Sequence, residues 1–441
     1  MAAGTFLTQN KVRPGVYINF ETEPKPLGGL GDRGVVTIPV FLSWGVTKEV
    51  ITIEAGEAPF DKLGYTIADP EMLLLREALK QAKIVLLYRL NGGVKASATL
   101  GTEDVLTVTA NHAGTRGNDI TIVIQENIDQ EDHYDVVTLV NEKEVDTQTV
   151  ATIQQLQPNL WVTFSGIGVP EETAGLPLTN GTDGTVTNQD YMDYLSAIEN
   201  YEFNTMALPV TDPSLKAIAI SFVKRLREDE GKKIQCVLEN YPIADYEGII
   251  SVKNGVILAD GTEITAAQAT AWVAGATAKA NVNQSLTYMA YDGSVDANPR
   301  YTNTQTIAAL QAGEFVFTAD DNKAVVEQDI NTLTSFTPTH GKAFSKNRVV
   351  RVLDSVNNDF VRIFSDFYIG KVDNNADGRN LLKGECINYL DVLQGINAIQ
   401  NFDSQVDLLI QQGNDLDSVY IDVYLQPVDS IEKIYMKVKV E

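Results

Sequence analysis

The chain has 441 residues, 44% of them hydrophobic and 8% aromatic, which suffices for packed cores and argues against disorder. Its 59 acidic against 34 basic side chains leave a formal net charge of −25. That excess disfavours nucleic acid and direct membrane association, because polyphosphates and anionic lipid surfaces are bound mainly through clustered Lys and Arg. The length suggests about two to four domains.

Cysteine and histidine usage narrows the chemistry. Cys236 and Cys386 stand too far apart in sequence for a CxxC metal pair, and two cysteines make no disulfide framework. His112, His133 and His340 are too scattered for a zinc site, so no metal or other cofactor is expected. The opening MAAGTFLTQNKVRPG lacks the apolar core of a signal peptide, and the mostly Ala and Thr stretch Thr265–Ala278 is too short to cross a bilayer. A soluble protein made in a reducing compartment is the expectation.

Residues 1–34 form a leader rich in Pro and Gly. Within it GVYINFE alternates as a short strand, with Val16, Ile18 and Phe20 on one side and Tyr17 and Asn19 on the other, and without a local partner. Residues 35–95 predict a small α/β unit: the strand VVTIPVFLSWG, a helix capped by Asp69 and opened by Pro70, and the strand IVLLYRL. From 96 to 186 the period becomes two. ASATL, VLTVTA, DITIVIQE, DVVTLV, EVDTQTV, LWVTFSG and GLPLTNG predict a β-sandwich or barrel inserted into a larger domain.

Strand and helix alternate again over 187–338, which predicts a parallel sheet with helices on its faces. IISVKNGVILADG reads as a hairpin on Asn254-Gly255, and EFVFTADDNKAVVEQ as another on Asp321-Asn322. Residues 339–420 are more helical, with an apolar stripe through Val349, Val352, Leu353, Val356, Phe360, Ile363 and Phe364. The final segment, 421–441, alternates as a strand, with Ile434, Met436, Val438 and Val440 on its apolar face.

Two local patterns resemble ligand sites. GLGDRG (29–34) matches a dinucleotide GxGxxG but opens a β run rather than a helix, which speaks against a cofactor. DNNADG (373–378) resembles the start of a calcium loop, yet its twelfth position is Gly384 where a Glu is needed. No GxSxG elbow or P-loop is present. The most unusual charge feature is GKAFSKNRVVR, which carries Lys342, Lys346, Arg348 and Arg351 without an acid. It reads as either a solvated helix start or a docking face for an acidic partner.

Several segments together resemble the contractile tail sheath proteins of phages and phage-like particles: RPGVYINF near the N-terminus, AVVEQDINTLTSF at 324–336, and residues 348–394, including the run from Tyr368 through Arg379 to Tyr389. Their order along the whole chain matches as well. The resemblance implies a multidomain α/β protein: an N-terminal arm, a small α/β unit, the β-sandwich insertion, a subtilisin-like α/β core without catalytic residues, a helical C-terminal domain and a closing arm. It further implies a non-enzymatic subunit made in a bacterial host's cytoplasm and assembled into the tail. Six-fold rings, stacked helically around an inner tube protein and bounded by baseplate and terminator proteins, are expected. The resemblance assigns Val16, Tyr17, Ile18 and Asn19, and Ile434, Met436, Val438 and Val440, to strands donated to neighbouring subunits. Lys342, Lys346, Arg348 and Arg351 are the candidate contact with the tube. The competing expectation is a metal-assisted hydrolase on the subtilisin-like sheet.

Overall fold

The computed structural model describes residues 2–4, 12–13, 15–17, 29–102 and 104–440. The chain divides into two compact units, one of Met1–Gly31 with Asp359–Gln426, the other of Asp32–Asn358 with Pro427–Glu441.

A seven-stranded sheet organises the larger unit. Its order is Glu314–Phe315, Ile249–Val252, Gln235–Glu239, Thr205–Ala207, Val35–Val40, Ile84–Arg89 and Val50–Glu54. All neighbours run parallel except Val50–Glu54, which pairs antiparallel at one edge. The strands of 35–95 therefore do not build a separate unit; they continue the sheet formed by 187–338. Their sequence explains this: Val85 and Leu87 are buried on one face, and Leu86 and Tyr88 on the other. A strand apolar on both faces belongs inside a sheet covered on both sides.

Each face has its own helices. The helix Ala266–Lys279, nearly all small residues around Trp272, packs on the face of Val36, Val85, Ala207, Val237 and Ile250. Small side chains let its backbone approach closely: a Cβ on Gly275 would lie 2.6 Å from the Ala78 carbonyl oxygen. The helices Asn188–Ile198 and Pro213–Glu228 cover the opposite face with Tyr194, Ile198, Leu215, Phe222 and Val223. Asp212 caps the second of these, accepting from the Ser214 and Leu215 amides, and Pro213 opens it.

The expected hairpin at Asn254-Gly255 does not form. Ile249–Val252 stays in the main sheet, whereas Gly255–Leu258 joins a separate sheet with Glu263–Ile264 and Ser294–Asn298. Asn254 is buried, and its side chain donates to the Pro299 and Phe317 carbonyls and accepts from the Phe317 amide. It ties three segments together rather than turning one. At Asp321-Asn322 the expected tight turn does form: both residues have positive φ, 42° and 62°, and join Phe317–Asp320 to Lys323–Val326.

The seven β runs of the insertion are all strands, and a short eighth, Thr182–Asp183, closes it. They build two four-stranded sheets packed over Val108, Ala110, Ile120, Ile122, Val136 and Val162. Chain entry and exit meet where the Gly184 amide donates to the Gly92 carbonyl at 2.9 Å. Beside this neck Arg89 is wholly buried and donates to the Gly45 and Ala113 carbonyls.

In the smaller unit, the part of helix Asn347–Phe367 from Asp359 onward packs on helix Ala376–Gly395 through Phe360 and Tyr389, whose ring centroids are 5.0 Å apart. The Tyr389 hydroxyl donates to Asp359 at 2.8 Å, and the Gly31 amide donates to the other carboxylate oxygen at 2.9 Å. The second helix begins inside the calcium-like run. Asn375, inside the calcium-like run, is its N-cap and accepts from the Gly378 amide, so that run serves as a helix start. A Cβ at position 31 would sit 2.6 Å from the Asp359 carboxylate oxygen that its amide bonds, so a larger residue would press on that contact, which gives GLGDRG a packing reason.

Candidate inter-subunit elements

Three elements present backbone that nothing in the described chain pairs on at least one side. The first is the hairpin Leu408–Gln412 with Val419–Val423, an antiparallel pair in register Leu408↔Val423 to Gln412↔Val419. Asn374 fixes its turn by donating to the Leu416 and Ser418 carbonyls. The sheet has only these two strands among the described residues, so both edges are open, and Leu409 and Tyr420 are each 51% exposed. A two-stranded hairpin is marginal alone and is completed by further strands. Leu408–Gln412 was not foreseen from the sequence; the Gly413-Asn414-Asp415 turn between two short β runs was its only signal.

The C-terminal tail is the second. Ile434, Met436, Val438 and Val440 are 72–91% exposed and, among the described residues, belong to no strand ladder. Their alternation with Lys433, Tyr435, Lys437 and Lys439 is the pattern of a strand with one apolar face.

The third lies near the N-terminus. Gly15–Tyr17, which carries Val16 and Tyr17, pairs in parallel with Ala2–Gly4, Ala3 facing Val16. The expected lack of a local partner is thereby corrected. Ile18 and Asn19 lie outside the described residues.

The four cations of the basic run are not all exposed. Lys342–Ser345 is a 3-10 turn and the α-helix starts only at Asn347, so helical spacing does not hold across the run. Lys342 is exposed, but Arg351 is buried with its guanidinium 3.5 Å from Asp329 and donates to the Gln284 carbonyl. Lys346 donates to Glu432 of the tail. Burial lowers the Arg348 pKa, and the charge of Asp429 opposes that shift. The partners of the run are acids of the same chain: Asp329, Asp429 and Glu432.

Glu432 was also not foreseen. Its signal was an acid heading the even-numbered apolar positions of the tail. Burial works against its charge, but the Lys346 ammonium, the Gln328 amide and the Thr287 hydroxyl outweigh it and hold the carboxyl below its usual 4.5. The tail root crosses a groove of about 860 Å³ lined by Tyr288, Ile307, Phe336 and Ile431.

Among the described residues no group of three or more His, Cys, Asp or Glu could hold a metal, and no helix is long and apolar enough to cross a membrane. Cys236 and Cys386 are free and buried, and burial pushes the Cys386 thiol up to about 12, far from a nucleophile's range.

An α/β body with an inserted β-sandwich is the fold that this chain shares with tail sheath proteins. Residues 33–90 match the tail sheath protein Gp18 domain III N-terminal region, 91–183 the phage tail sheath protein beta-sandwich domain, 184–332 the phage tail sheath protein central domain, and 339–441 the phage tail sheath C-terminal domain. The chain belongs to the phage tail sheath protein family. It is 65% identical to the sheath tail protein of Desulfitobacterium hafniense, whose crystal structure superposes with a TM-score of 0.87 over 97% of this chain and all of that one. It is 42% identical over full length to the phage-like element PBSX protein XkdK of Bacillus subtilis. The helical sheath of the anti-feeding prophage in its contracted state shares the fold at 14% identity, with a TM-score of 0.58 over 98% of this chain and all of that one.

Proposed function

We propose that the chain polymerises as six-fold rings, stacked helically around an inner tail tube, and that it contracts to drive the tube through a bacterial envelope. The carrying observation is the coexistence, among the described residues, of an exposed alternating tail with no ladder partner and a hairpin with two open edges. Strand addition satisfies both: backbone hydrogen bonds supply affinity and alternate side chains fix register. Ile434, Met436, Val438 and Val440 would enter the hairpin sheet of one neighbouring copy, and the N-terminal strand with Val16, Tyr17, Ile18 and Asn19 that of another.

Such links let folded units move nearly as rigid bodies while the lattice stays connected. Contraction then needs no nucleotide, because the free energy is the extra surface buried in the contracted lattice. The central sheet is read as subtilisin-like in topology only. Baseplate and terminator proteins would bound the polymer, and assembly would follow synthesis in the host cytoplasm. A contact with the tube would rest on Lys342 alone of the four cations, since it is the one that is exposed.

A cross-link tests the strand addition. Met436→Cys chains mixed with Leu409→Cys or Tyr420→Cys chains should form disulfide-linked dimers only in polymers. Polymers that never cross-link at either position would overturn the assignment of the hairpin as acceptor.

A further inference from the structure

The tail changes character within two residues. Ile434 is 80% exposed, whereas the side chain of Glu432 retains only 11% of its accessible surface. Three donors from separate segments converge on that carboxylate. The Thr287 hydroxyl donates to Oε1 at 2.9 Å, and the Gln328 amide and the Lys346 ammonium donate to Oε2. A second carboxylate hub holds these donors in place. Asp329 accepts from the Leu286 amide and from the Asn347 side chain, and its own amide donates to the Thr287 hydroxyl oxygen, leaving that hydroxyl's proton for Glu432. Three residues before Glu432, Asp429 acts on Arg348.

We propose that Glu432 is the fixed pivot of the C-terminal arm, locking the arm's root onto its own subunit so that only the segment beyond it is free to enter a second copy of this chain. This rests on the strand-addition reading above. The consequence is one of reach. An extended chain spans at most about 3.3–3.6 Å per residue, so Val440 can lie no more than about 29 Å from the pivot. Neighbours farther than this are excluded, and the lattice contact is selected by length as well as by side chains. The cationic run that stands out in the sequence thus acts as an intrachain clamp.

The test uses the full chain. Its two native cysteines are buried, so a cysteine placed at exposed Ile431 or Met436 takes a nitroxide selectively. The label at 431 should tumble several-fold more slowly than the label at 436. Glu432→Gln and Glu432→Lys should bring the two within a factor of about two, with the melting temperature of the body unchanged. Glu432→Lys should also lower the fraction of chain in polymer at least fivefold, and Glu432→Lys with Lys346→Glu should restore both readouts. Equal mobility at 431 and 436 in the parent chain, or slow motion at 431 surviving both substitutions, would overturn the pivot. Removing 434–440 separates this from the underlying reading: normal polymers from that truncation would refute strand donation and leave the mobility result standing.

Discussion

The indole of Trp44 meets the His112 imidazole edge-on, with ring centroids 5.1 Å apart and planes at 84°. Trp161 packs on the same indole at 4.7 Å, so the β-sandwich is joined to the α/β body through three rings. Burial, with the Arg89 and Lys95 charges, lowers His112 from 6.5 to about 4. The folded state therefore binds fewer protons than the unfolded chain between those values. Its contribution is fully present above 6.5 and is lost as the pH falls from there towards 4. The melting temperature should decline over that window, and less steeply in His112→Phe. Thermal unfolding followed across the window checks this, and an NMR titration placing His112 near 6.5 would contradict it.

Arg351 and Lys342 belong to the same basic run but should behave oppositely. Arg351→Ala leaves Asp329 buried without its cation, and loss of one partner of a buried pair costs about 3–5 kcal/mol. Lys342→Glu changes an exposed charge and should stay within about 0.5 kcal/mol in urea unfolding. Only the second substitution can report on tube docking. It should weaken tube-templated assembly and its salt dependence if Lys342 touches the tube, and leave both unchanged if it does not.

Gly275 faces the Ala78 carbonyl oxygen across two packed helices. Alanine is the better helix former by about 1 kcal/mol, yet its Cβ would lie 2.6 Å from that backbone oxygen. The clash should win, giving a net loss of about 1–3 kcal/mol for Gly275→Ala in denaturant unfolding. A stabilised variant would show that the helices are not held at this distance.

Much of this architecture was legible because periodicity reports burial directly. Alternation marked every main strand of the sandwich. What failed was local pattern overruled by distant partners. Asn254-Gly255 carries the strongest short hairpin signal, yet the bonds of Asn254 to Pro299 and Phe317 direct the chain elsewhere. Lys346, Arg348 and Arg351 looked unpaired because Asp329, Asp429 and Glu432 are remote in sequence or on other segments. That the Leu408–Val423 hairpin has open edges among the described residues depends on pairing and is invisible to composition.

The N-terminal strand carries an expectation of its own. Removing residues 1–21 should leave melting of the seven-stranded sheet and the sandwich unchanged, because among the described residues neither draws a strand from that segment. Polymer yield should nevertheless collapse, as measured by sedimentation. Normal yield would remove Val16, Tyr17, Ile18 and Asn19 from the exchange.

Strand donation by the C-terminal arm is tested most directly by electron microscopy of the full chain beside a chain lacking residues 434–440, each supplied with tube and baseplate. The full chain should give striated six-fold cylinders, whereas the truncated chain, equally stable, should give single particles. Cylinders of normal length and symmetry from the truncated chain would contradict it.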